Sequence, residues 1–111
     1  MAFGTPPAPG DVPTGAVGVL ARLKIEQGRQ EAFEHFVLGF AADVARLEPG
    51  CLLYSPQRAI GGDCDYVIFQ RFRAWADFEA HADTAHMKAA LPHFAHFWDG
   101  TPVLEIFTAL V

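Results

Sequence analysis

Four of the chain's five histidines, His81, His86, His93 and His96, fall between Trp75 and Trp98. Imidazole titrates nearest neutral pH, so it can act as general base, general acid or metal ligand. His81 and His86 are five residues apart, which on one unbroken helix separates them by about 140°. They share no face there, so the i, i+4 spacing of a two-histidine metal site is missing. A helix broken near Asp83 would let both rings turn toward one pocket. His93 and His96 follow Pro92 and read as a solvated pair. No carboxylate or cysteine completes a ligand set at suitable spacing, so no metal site is expected. His86 and, after it, His81 are the candidates for a general base facing an acidic O–H.

Arg71 stands among apolar neighbours in a strand-like run. A fixed guanidinium there either steadies a phenolate or enolate or forms a salt bridge, with Glu105 as the partner that interrupts an apolar face. The aromatic residues are core by default. Among them Trp75, Phe78, Tyr66 and Phe40 are the candidates to wall an apolar ligand cavity. Neither a GxGxxG nor a P-loop pattern is present, so no nucleotide cofactor is indicated. The one serine, Ser55, has no GxSxG around it.

These residues belong to a chain of 111 residues, one domain by length. Hydrophobic residues make up 51% and charged ones 19%, fewer charges than the roughly one quarter usual in globular domains. So apolar a small domain is expected to hide part of its surface against a second copy. The net charge is −5 and the eight Lys and Arg are scattered, which leaves no basic stripe for nucleic acid. No apolar run approaches the ~20 residues of a membrane span. The N-terminus lacks the basic start and hydrophobic stretch of a secretory signal, so a cytoplasmic location is expected. Cys51 and Cys64 would begin successive antiparallel strands, a strand length of ~25 Å apart, too far for a disulfide.

Periodicity supplies the elements that position these groups. Residues 1–15, rich in Pro and Gly, read as a disordered arm, and 16–111 as the domain. Val17, Val19, Ala21, Leu23 and Ile25 alternate as a strand. Phe33, Phe36, Val37, Phe40, Ala41, Val44 and Leu47 recur at helical spacing, and Pro49-Gly50 stops that helix. A strand follows from Cys51 to about Ala59, with Pro56 marking a bulge or an edge, then a Gly61-Gly62-Asp63 turn and a strand over Tyr66–Phe72. A second helix runs from about Ala74 to Leu91, kinked near Asp83 or Thr84, one of which caps the restart. Pro92 is expected to end it, with a turn or short helix over His93–Trp98 and a last strand over Thr101–Val111. The order βαββαβ is ferredoxin-like, an α+β fold with a four-stranded antiparallel sheet and both helices on one face. The third and fourth strands are apolar on both faces, yet two helices cover only one. A homodimer joined sheet face to sheet face is the expected remedy.

The strand leading into the GRQEAFEHF segment, the Glu48-Pro49-Gly50-Cys51 turn, the Tyr66-Val67-Ile68-Phe69 strand and above all His81-xxxx-His86-Met87 together resemble the antibiotic biosynthesis monooxygenase (ABM) family of dimeric α+β barrels. The resemblance covers about residues 16–110. It implies a monooxygenase that oxidises a small aromatic quinol or phenol with O2, without metal or other cofactor. His86 or His81 would take the proton and Arg71 would steady the anion. Two departures stand out. Gln70-Arg71-Phe72 occupies the place where members often carry Glu and then Trp, and Ala21 stands where haem-degrading relatives carry Asn. These departures leave two alternatives: a non-catalytic dimeric barrel for small-ligand binding or a stress response, and an isomerase or decarboxylase on the same scaffold.

Overall fold

The computed structural model describes Ala2–Phe3 and residues 12–111. Its elements are β1 (Ala2–Phe3), β2 (Val17–Lys24), α1 (Gln30–Leu47), β3 (Cys51–Arg58), β4 (Asp65–Phe72), α2 (Trp75–Asp83), α3 (Ala85–Phe97) and β5 (Val103–Thr108). From β2 onward the order is βαββααβ, and β5-β2-β4-β3 form the four-stranded antiparallel sheet of a ferredoxin-like α+β fold. β1 adds in parallel to the edge of β5, opposite Val103 and Leu104. Of the disordered arm expected over residues 1–15, residues 1 and 4–11 lie outside the described residues.

Alternation along β2 decides which face is covered. Val17, Val19, Ala21 and Leu23 are buried beneath the helices, while Arg22 and Lys24 point the other way. β4 keeps the same phase, with Tyr66, Ile68, Gln70 and Phe72 on the helix side. α1 adds Phe33, Val37, Phe40 and Val44. Leu47, at the end of the apolar stripe, remains exposed. Phe33 and Phe36 meet Phe94 and Phe97 of α3 in edge-on and stacked contacts, geometries that add about 0.5–1.5 kcal/mol per pair to area burial. Pro56 lies on β3, an edge strand, as its missing N–H requires. The bulge of β3 falls between Cys51 and Leu53. Cys51 pairs with Phe72 at one end of β4 and Cys64 precedes its other end, and both thiols are free.

The second helical region differs from expectation in one respect. The break comes at Thr84, whose extended backbone separates α2 from α3 and whose Oγ1 accepts the Met87 N–H at 3.2 Å. α3 then runs through Pro92 instead of stopping at Leu91. A proline inside a helix costs about 3 kcal/mol or more. Burial of Ala90 on one side of it and of Phe94 and Phe97 on the other offsets that cost, because a helix ending at Leu91 would withdraw both rings from the core. Among the described residues no helix is long and apolar enough to cross a membrane.

Candidate active site

The unexpected member of the site is Glu48. It follows the last residue of α1, its backbone N–H still bonded to the Val44 carbonyl. The Pro49-Gly50 turn then folds the chain under α2, so the carboxylate is 8% exposed. His81 Nδ1 lies 2.8 and 3.0 Å from the two carboxylate oxygens, and His86 Nε2 bonds to Glu48 Oε2. The break at Thr84 makes this possible: it swings α3 so that two rings on different faces of a straight helix converge on one carboxylate. Glu48 lies between the imidazoles and bonds to each. Among the described residues no group of three or more His, Cys, Asp or Glu side chains has the arrangement of a metal site.

An ionised carboxylate only accepts hydrogen bonds, so each facing nitrogen must carry the proton. His81 is thereby held as its Nδ1–H tautomer, leaving a lone pair on Nε2. That Nε2 has no protein partner among the described residues, and it is not a fully buried unpaired atom. Phe40, Tyr54 and Phe72 pack around the His81 ring with centroids 6.4, 5.7 and 5.4 Å away, fixing its plane. Burial, with Cys51 and Glu48 nearby, pushes the Tyr54 phenol far above its ordinary range. Burial and the Glu48 charge push the Cys51 thiol up to about 11. Neither is ionised at neutral pH, which leaves His81 as the buried proton acceptor of this cluster that lines the neighbouring space.

That space is a cavity of about 590 Å³ between the sheet and α2–α3, within the roughly 300–1,000 Å³ of small-molecule sites. Its floor is Ala21, Ile68, Gln70, Leu104 and Ile106, and its roof includes Trp75, Phe78, Met87 and Phe94. Its polar lining residues are Tyr54, Gln70 and His81, with Glu79 and Asp83 on the solvent-exposed side of α2. At the other end stands Trp98, whose Nε1–H is buried without a partner.

The residues singled out in the sequence are distributed unevenly around this cavity. His81, Trp75 and Phe78 line it. His86 does not: it lies behind His81, across Glu48 and against Phe40 at 5.9 Å. Phe40 supports the two imidazoles and Tyr54 from α1 without lining the cavity. Tyr66 is at the far end of β4, where its hydroxyl donates to Glu34 at 2.5 Å and its ring borders a separate depression with Arg22, Lys24 and Arg58. Burial and the Glu34 bond raise its phenol to about 12. Arg71 lies on the opposite face of the sheet from Gln70 and Phe72 and donates to the Val111 backbone oxygen at 2.7 Å. Glu105 pairs instead with Arg22 at 2.7 Å. The strand places Arg71 beyond reach of the cavity in this chain, because neighbours along a strand point to opposite faces. His93 and His96 are exposed on α3.

A family model described as antibiotic biosynthesis monooxygenase matches residues 16–92. The chain belongs to this family. A structure from Caulobacter crescentus named for the same monooxygenase family superposes with a TM-score of 0.86 at 30% identity, over 90% of this chain and 94% of that one. A Nitrosomonas europaea structure of the same designation gives 0.82 at 18% identity, covering 87% and 92%. SnoaB, a cofactor-independent oxygenase from Streptomyces nogalater, gives 0.76 at 21% identity, covering 86% and 94%. No curated protein matches the chain. The matched segment contains Glu48, Gln70, His81 and His86, so the histidine–carboxylate cluster and the polar residue of the cavity floor lie within the family's domain.

Proposed function

We propose that this ABM-family protein oxidises a small aromatic phenol or quinol with O2, using His81 as the general base. The observation that carries the reading is the Glu48–His81 pair, which holds a histidine by its Nδ1 in the wall of a largely apolar cavity large enough for a fused aromatic ring. A substrate O–H placed at Nε2 loses its proton to the ring, and the Glu48 carboxylate stabilises the imidazolium that forms. The electron-rich anion passes one electron to O2, and the two radicals recombine with a new C–O bond. The proton returns to the peroxide, and loss of the ring C–H proton at the oxygenated carbon with cleavage of the O–O bond leaves a carbonyl on the ring and releases water. One oxygen atom enters the substrate and the other leaves as water, so the ring supplies all the electrons and the reading needs no cofactor. His86 holds Glu48 from behind and Arg71 takes no part.

The unused face of the sheet supports a homodimer. Leu53, Phe69, Val103 and Phe107 are 39–50% exposed on the side away from the helices, an apolar patch that a second sheet would cover. A face-to-face pair leaves the cavity of each subunit open, since the cavity lies on the helix side.

The test is O2 uptake with a panel of quinols and hydroxynaphthalenes. Wild-type protein consumes O2, His81→Ala loses that activity and Arg71→Ala keeps it. Uptake that survives in His81→Ala at the wild-type rate refutes the assignment of the base.

A further inference from the structure

The floor of the cavity contains a polar group that the proton transfer does not use. Gln70 is 8% exposed, sits on the helix face of β4 among Ile68, Phe72 and Val19, and lines the cavity. A buried primary amide ordinarily satisfies its donors and acceptor within the protein, because leaving them unpaired costs about 1–3 kcal/mol. The Gln70 amide makes no hydrogen bond among the described residues, yet it is not among the fully enclosed unpaired atoms. The little surface it retains therefore opens into the cavity.

Its position relative to His81 is set by two shared neighbours. Gln70 pairs directly across the strands with Tyr54 and precedes Phe72 by one step on the same face. The His81 ring packs on those same two side chains. Directly opposite residues have Cβ atoms about 5 Å apart, and Gln70 and His81 both line the cavity, so the two polar side chains share one part of its wall. The two carboxylates that also line the cavity, Glu79 and Asp83 of α2, are exposed to solvent.

We propose that Gln70 determines specificity by hydrogen-bonding a second oxygen on the ring, next to the hydroxyl that His81 meets. The ligand class is an aromatic with two neighbouring oxygen functions, a vicinal diol or a hydroxy-ketone, in preference to a simple phenol. A neutral amide suits this task in either state of the ligand: its N–H₂ donates to a carbonyl or phenolate, and its carbonyl accepts from a hydroxyl. A carboxylate at this position would only accept and would repel the anion that His81 generates. The inference rests on the cavity being the ligand site proposed above, but not on the redox step.

Anaerobic calorimetric titration separates the two. Wild-type protein is titrated with 2,3-dihydroxynaphthalene and with 2-naphthol, and so are Gln70→Leu and Gln70→Met. Both variants exchange an amide for an apolar side chain of similar size, and circular dichroism checks that each folds. Wild type binds the diol at least about tenfold more tightly than 2-naphthol, the scale of one buried hydrogen bond. In both variants the diol weakens until the preference is lost, while 2-naphthol stays within about threefold of its wild-type affinity, since it never used the amide. A wild type that binds neither compound, shows no preference, or passes an unchanged preference to the variants overturns the proposal. Preference without any O2 consumption would overturn the oxidase reading and leave this one standing.

Discussion

Replacing Glu48 tests the centre of the site, because two imidazoles depend on one carboxylate. In Glu48→Ala both facing N–H groups lose their acceptor in a pocket where His81 is 8% and Glu48 itself 8% exposed. Hydrogen bonds to a charged group contribute about 1.5–3 kcal/mol each, and removing one partner from a buried ionic cluster costs about 3–5 kcal/mol. A small domain has only about 5–15 kcal/mol to lose, and its midpoint falls roughly 4–8 °C per kcal/mol. Thermal and urea unfolding at neutral pH are thus expected to show Glu48→Ala less stable by about 3–5 kcal/mol, with Glu48→Gln between it and wild type. The triple replacement Glu48→Leu, His81→Phe, His86→Phe supplies the decisive contrast. Removing all three polar groups leaves nothing unpaired, so stability recovers above that of Glu48→Ala while the base is gone. If Glu48→Ala unfolds within about 0.5 kcal/mol of wild type, the carboxylate does not hold the two rings and the assigned tautomer of His81 falls with it.

Other outcomes follow from single features. The Tyr66 phenol is raised to about 12 in the folded chain against 10.0 as an ordinary value. That stabilisation is present below pH 10 and is lost as pH rises toward 12. Urea midpoints of Tyr66→Phe accordingly fall less steeply than wild type across that window, and equal slopes would contradict the assignment. A Cβ at buried Gly50 would lie 2.1 Å from Asp77 Oδ1 and 2.8 Å from its Cβ, so Gly50→Ala must displace the first turn of α2. It is expected to lose about 1–3 kcal/mol by urea denaturation, and a neutral result would mean that α2 sits further from the turn. If the proposed sheet-face dimer forms, wild type sediments as a dimer and Phe107→Glu on that face as a monomer in sedimentation velocity, without loss of secondary structure. A variant that sediments like wild type would refute a dimer contact through this face.

Hydrophobic period alone was enough to predict the element order, the antiparallel ferredoxin-like sheet and the surplus apolar face. Alternation in Val17–Leu23 and three-four spacing in Phe33–Val44 are local properties that survive any tertiary arrangement. The break at Thr84 was equally legible, since a capping hydroxyl acts on its own backbone. Pro92 misled for the opposite reason: its intrinsic cost is local, but the burial of Phe94 and Phe97 that outweighs it is not. Arg71 and Gln70 are adjacent on a strand that is apolar on both sides, so alternation could separate their faces without saying which face the helices cover. Glu48 left one faint signal. A carboxylate at the C-terminal end of a helix is disfavoured by the helix dipole, which asks for a compensating partner. The partners, His81 and His86, lie more than thirty residues further along. The sequence by itself thus determined the elements and the two histidines that are candidates for a base. The tertiary structure decided that His81 and not His86 faces the cavity, because that choice depends on how a sheet register and one helix break bring distant segments to the same carboxylate.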